Sequence, residues 1–158
     1  MKQAELLTTG FGLGKLPWFP AVWGSLPPVI LYQVLGYLGP GVNVYVMLFF
    51  VLVGSWVCIK YTPALVLTTG QTHPTTLVAD RIAGQGLTMF IIALVGPANI
   101  CNSMALGFAL FRLFDVIRIN PGDRLNPTLN ILVPTLLAGF YAGLVSFVII
   151  LLFPGFYA

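Results

Sequence analysis

The chain has 158 residues, 58% of them hydrophobic and 7% charged, with a mean hydropathy of +0.97. This excludes an ordinary soluble domain and requires lipid as the solvent. The net charge of +3 then reports basic loops at a membrane surface, not a nucleic-acid partner.

Three stretches carry no charge: Leu16 to Ile59, Ile82 to Phe111 and Leu125 to Ala158, of 44, 30 and 34 residues. One helical crossing takes roughly 20 apolar residues. Met1 to Thr9 is too polar for the apolar core of a signal peptide, so the first helix is expected to be retained. Gly10, Gly12 and Gly14 precede Lys15 in a spacing that is neither a P-loop nor a dinucleotide fingerprint. With a helix N-terminus expected near Ser25, this turn has two readings: backbone N-H groups offered to an anion, or a flexible interfacial entry.

Five apolar segments follow. The first spans Leu26 to Leu38, where Pro27 and Pro28 leave a run short enough for a re-entrant element. A crossing is favoured, because re-entry moves Lys15 to an otherwise uncharged side. Gly39-Pro40-Gly41 with Asn43 marks a tight turn before the second segment, Val44 to Lys60. His73-Pro74 resembles a helix start for the third, Thr75 to Val95, and Gly96-Pro97 with Asn99 separates it from the fourth, Ile100 to Ile117. The fifth is Leu129 to Phe153. The predicted fold is an all-α polytopic membrane bundle with four to five crossings in a single domain, residues 1–158.

With all five crossing, Lys2, Lys15, Lys60, Arg81, Arg112, Arg118 and Arg124 gather on one side, the cytoplasmic side by the positive-inside rule. Trp18, Phe19, Phe153, Phe156 and Tyr157 suit the two interfaces. Cys58 and Cys101 fall toward opposite faces, which argues against a disulfide or a metal pair.

Asp80 lies 18 residues before Ala98 and Asp115 lies 17 residues after it. In an antiparallel hairpin both carboxylates therefore reach one depth, roughly 26 Å from the outer turn. Arg112, Asp115 and Arg118 follow at three-residue spacing along one helical face. Carboxylates at such depth point to function; the competing reading is structural ion pairs, Asp80 with Arg81 and Asp115 with Arg112. His73 reads as a cap or loop residue.

Several segments together resemble the phosphatidylglycerophosphatase A family of bacterial membrane enzymes. They are Thr9-Gly10-Phe11-Gly12-Leu13-Gly14, Pro17-Trp18, Trp23-Gly24-Ser25-Leu26, Val78-Ala79-Asp80 with Ala83-Gly84, Phe111-Arg112-Leu113-Phe114-Asp115, and Leu136-Leu137-Ala138-Gly139 before Tyr141-Ala142-Gly143. The resemblance implies Mg²⁺-dependent hydrolysis of the terminal phosphate of phosphatidylglycerophosphate at a bacterial cytoplasmic membrane, with the polar site facing the cytoplasm. On this chain it implies Asp80 and Asp115 as metal ligands and Arg112 as the leading phosphate contact. Lys15, Arg118, Arg81 and Ser25 follow as substrate-binding candidates.

The chain departs from the family's pattern in its polar core. Arg81 stands where an acid is expected, Pro134-Thr135 where two acids are expected, Pro20-Ala21-Val22 where Pro-Gly-Thr is expected, and Arg118-Ile119 where Lys-Pro is expected. Two readings follow: a phosphatase of weakened activity, or an inactive member that binds anionic lipid headgroups. A small transporter is disfavoured, since no inverted repeat is present and the charges sit at one face.

Overall fold

The computed structural model describes residues 6–15, 18–70, 76–96, 99–117 and 126–153. Among the described residues, a helical stretch at 6–8 and a short 3-10 turn, Leu13–Lys15, precede five longer helices: α1 (Pro20–Gly36), α2 (Pro40–Thr69), α3 (Ala79–Val95), α4 (Ile100–Ile117) and α5 (Pro127–Leu152). No strand occurs among the described residues.

Three helices are long and apolar enough to cross a membrane: Gly41–Leu67 of α2, Ile100–Ile117 of α4, and Thr128–Leu152 of α5. α1 and α3 have 17 residues each, about 26 Å of helix and one residue fewer than α4. The expected five segments are thus five helices, of which three have the length of a crossing.

Three expected boundaries are corrected. α1 begins at Pro20 and not near Leu26, because Pro20 supplies the fixed φ of a first helical residue and Pro27 and Pro28 lie inside the helix. α2 runs nine residues beyond Lys60 to Thr69, since Leu65 packs into the core with Leu77 and Ile131. α3 begins at Ala79 and not Thr75: Val78 N-H donates to Thr8 O at 3.0 Å, which ties the residue before the helix to the N-terminal segment and not into the helix. His73-Pro74 lies outside the described residues.

α3 is the axis of the bundle and packs against each of the other four helices. Its small residues allow this. Gly54 of α2 lies so close that a Cβ there would sit 3.0 Å from Ala83 Cβ, and a Cβ on Gly139 of α5 would strike Gly84 O. Thr88 Oγ1 reaches Gly139 O at 3.0 Å across the same contact. In lipid, where burying hydrocarbon gains little, such close approach and interhelical bonding supply the cohesion.

The contacts fix direction. Ala79 and Ala83 meet Gly54 while Gly86 meets Met47, Phe50 and Val51, so α2 and α3 are antiparallel. Gly84 meets Thr135 and Ile91 meets Gly143, so α3 and α5 are parallel. One end of the bundle packs Val29, Tyr32, Met47, Met89, Ile92 and Ile150; the other packs Val57, Leu65, Leu77, Ala79, Ile131 and Leu132 and carries Asp80, Arg81, Arg112 and Asp115. Lys60 projects from α2 with its ammonium 4.6 Å from the Trp56 ring centroid. Cys58 is buried, Cys101 is exposed, and both are free.

Candidate functional site

Asp80 lies in the first turn of α3, where the helix's N-terminal partial charge favours a carboxylate. The side chain is buried at 1% exposure. Its Oδ2 lies 3.1 Å from Thr135 Oγ1 of α5, and its Oδ1 accepts from Arg81 Nη1 at 3.3 Å.

Arg81 is itself held from two directions. Nη1 donates to Leu77 O at 2.8 Å, and Nε lies 3.9 Å from Asp115 Oδ2 on α4. Arg112 Nη1 reaches that same oxygen at 3.3 Å, while its Nη2 donates to Ala21 O and Ser25 Oγ on α1. The Arg112 guanidinium also lies 5.4 Å from the Phe111 ring centroid, a distance that permits cation–π attraction. Four helices thus meet in one polar network: Asp80 and Arg81 from α3, Arg112 and Asp115 from α4, Ser25 from α1 and Thr135 from α5.

Each expected carboxylate therefore has an arginine partner, and Arg81 links the two pairs. The equal-depth argument for Asp80 and Asp115 agrees with this geometry. Thr135, at a position where the family's pattern has an acid, meets Asp80 directly.

Other expectations need correction. Ser25 is not at a helix N-terminus; it sits in the second turn of α1, and its hydroxyl lies 2.9 Å from Val22 O and accepts from Arg112. The glycine-rich turn offers no anion cradle over residues 10–14. The N-H of Gly10 donates to Leu7 O, that of Phe11 to Leu6 O, that of Leu13 to Gly10 O and that of Gly14 to Thr9 O, while Gly12 N-H donates to Thr9 Oγ1. Two of its glycines serve packing instead: a Cβ on Gly14 would strike Thr76 O, and one on Gly10 would sit 2.9 Å from Val78 Cγ2. Lys15 ends the 3-10 turn beside this contact, and its side chain lies outside the described atoms, as does all of Arg118.

One polar residue escapes the motif reading. Gln85 carries no sequence signal beyond its place one turn after Arg81; it is wholly buried, and neither amide atom has a hydrogen-bond partner. Arg81 Nε and Arg112 Nε are likewise buried without a hydrogen bond.

Chemically, two carboxylates and two guanidinium groups cancel in charge while leaving donors to spare. Among the described residues no three His, Cys, Asp or Glu side chains come together to hold a metal, so there is no preformed cage. The chemistry of the donor set fits a magnesium ion of the substrate-borne kind, which keeps several waters and is held by one or two carboxylates together with phosphate oxygens.

The comparisons with known proteins agree with one another. The family described as phosphatidylglycerophosphatase A matches residues 6–150. Phosphatidylglycerophosphatase A of Haemophilus influenzae is 30% identical over 154 residues, covering 94% of this chain and 90% of that protein. No solved structure matches the chain.

Proposed function

The chain belongs to the phosphatidylglycerophosphatase A family, and from that premise we propose that it is a phosphoric monoester hydrolase acting on phosphatidylglycerophosphate. The products are phosphatidylglycerol and inorganic phosphate. The observation that carries the reading is the convergence of Arg81 and Arg112 within 4 Å of one oxygen, Asp115 Oδ2.

Phosphoryl transfer needs little covalent help from the protein; it needs positioning and a field that stabilises charge on the equatorial oxygens. Arg112, fixed by Ala21 and Ser25, is the leading contact for those oxygens, and Arg81 is the second. As the phosphate draws the guanidinium groups, Asp115 is released to take the proton of the attacking water. Water oxygen bonds to phosphorus as the bond from phosphorus to the glycerol oxygen breaks, and that oxygen takes a proton from the water at the membrane surface, to which Asp115 returns the one it took. Asp80, held by Thr135, keeps Arg81 aligned. Asp80 and Asp115 would also hold a magnesium ion arriving with the phosphate, whose charge would offset that of the substrate dianion. Lys15 and Arg118 are further candidates for the headgroup.

The setting is a bacterial cytoplasmic membrane with the charged end of the bundle facing the cytoplasm, supported by the uncharged opposite helix ends. A second reading, an inactive member that holds anionic headgroups, is favoured by one observation: Arg81 contacts both carboxylates and blunts their attraction for a cation. Phosphate release from phosphatidylglycerophosphate by the detergent-solubilised protein separates the two. Mg²⁺-dependent release that is lost in Asp80→Asn supports the hydrolase. Salt-sensitive lipid binding without release supports the binder.

A further inference from the structure

Gln85 is a buried polar side chain that the network above does not use. It is fully buried, and its Nε2 and Oε1 both lack hydrogen-bond partners, where native interiors usually satisfy such groups. The packing of α3 fixes where it points. Ala79, Ala83 and Gly86 face α2, while Asp80, Gly84 and Ile91 face α5. Arg81 and Gln85, four residues apart, share the remaining face, which α3 turns to α1 and α4. It is the face on which Arg112 of α4 bonds Ser25 of α1.

Gln85 therefore lies about 6 Å farther along α3 than Arg81, toward the uncharged end of the bundle. In a lipid substrate the terminal phosphate projects farthest from the acyl chains. With the phosphate at Arg81 and Arg112, the atoms one helical turn deeper are those of the glycerol that joins it to the rest of the lipid. That glycerol carries a free hydroxyl on the carbon next to the phosphate-bearing one. A primary amide has a donor and an acceptor side by side, and this neighbouring hydroxyl, itself both donor and acceptor, can bond either of them.

We propose that Gln85 is the specificity-determining residue of this site, reading the hydroxyl beside the phosphomonoester and so separating phosphatidylglycerophosphate from lipid phosphates without it. The inference rests on the hydrolase reading above. A polar site built to bond a hydroxyl discriminates strongly against an analogue lacking it, because the site's own groups are then left unpaired.

The test compares phosphate release from phosphatidylglycerophosphate and from phosphatidic acid, which lacks that hydroxyl, by the full-length protein and its Gln85→Leu variant, with the thermal midpoint of each recorded. The expected result is a loss of kcat/KM of about ten-fold or more on the hydroxyl-bearing lipid, an unchanged rate on phosphatidic acid, and a midpoint equal to or above that of the parent. Equal losses on both lipids, no loss on either, or a fall in midpoint with selectivity retained would overturn the assignment while leaving the hydrolase reading intact. A parent protein that releases phosphate from neither lipid would overturn both.

Discussion

Thr135 Oγ1 lies 3.1 Å from Asp80 Oδ2, and this contact joins α5 to the first turn of α3. Ile131 O is also 3.1 Å from the hydroxyl, so one proton serves two acceptors. The charged carboxylate is the stronger of them.

Replacing Thr135 with valine keeps the volume and removes the donor. Asp80 then loses its neutral hydrogen-bond partner in a buried site, at a cost of about 1–3 kcal/mol. The thermal midpoint in detergent is expected to fall by several degrees, with Thr135→Ser restoring most of the loss.

Arg112 and lysine are not equivalent here. The guanidinium reaches Asp115, Ala21 O and Ser25 Oγ at once, which a single ammonium cannot reproduce. Arg112→Lys is expected to lower kcat by about 10²-fold or more, measured as phosphate release. Ser25→Ala, which removes one of three partners, is expected to lower it far less.

Arg81 neutralises both carboxylates, so the free protein should take up Mg²⁺ weakly. Arg81→Glu places three acids together, whose mutual repulsion favours a divalent ion. Titration calorimetry is expected to detect tighter Mg²⁺ binding in the variant, together with a midpoint that Mg²⁺ raises. Equal Mg²⁺ affinity in parent and variant would argue against Arg81 as the group that screens the acids.

Gly84 tolerates no side chain. A Cβ there would sit 2.6 Å from Thr135 O and 2.8 Å from Phe111 Cε2, so Gly84→Val must push α3 away from both α4 and α5. A loss of about 1–3 kcal/mol or more is expected from overpacking. It is read as a lower thermal midpoint together with reduced phosphate release, since the displacement also parts Asp80 from Thr135.

Much of this was legible in the sequence because lipid imposes severe rules. Uncharged runs and the breakers Gly39-Pro40-Gly41 and Gly96-Pro97 placed five helical segments. The equal spacing of Asp80 and Asp115 about Ala98 placed both acids at one level. Boundaries were less legible: Pro20 starts a helix and Pro27 and Pro28 continue one, and nothing local distinguishes these roles.

Composition and charge by themselves determined that the chain is helical, lipid-solvated and polar at one end, since backbone groups in hydrocarbon must bond within helices. The motifs determined its family. Only the tertiary structure decided which groups meet: Arg81 bridges two acids, Ser25 anchors an arginine and not an anion, the glycine-rich turn packs on Val78 with its N-H groups already bonded, and Gln85 lies buried and unbonded beneath the cluster. Those outcomes depend on helix rotation and close approach between segments far apart in the chain, and such packing is set by small residues on several helices at once.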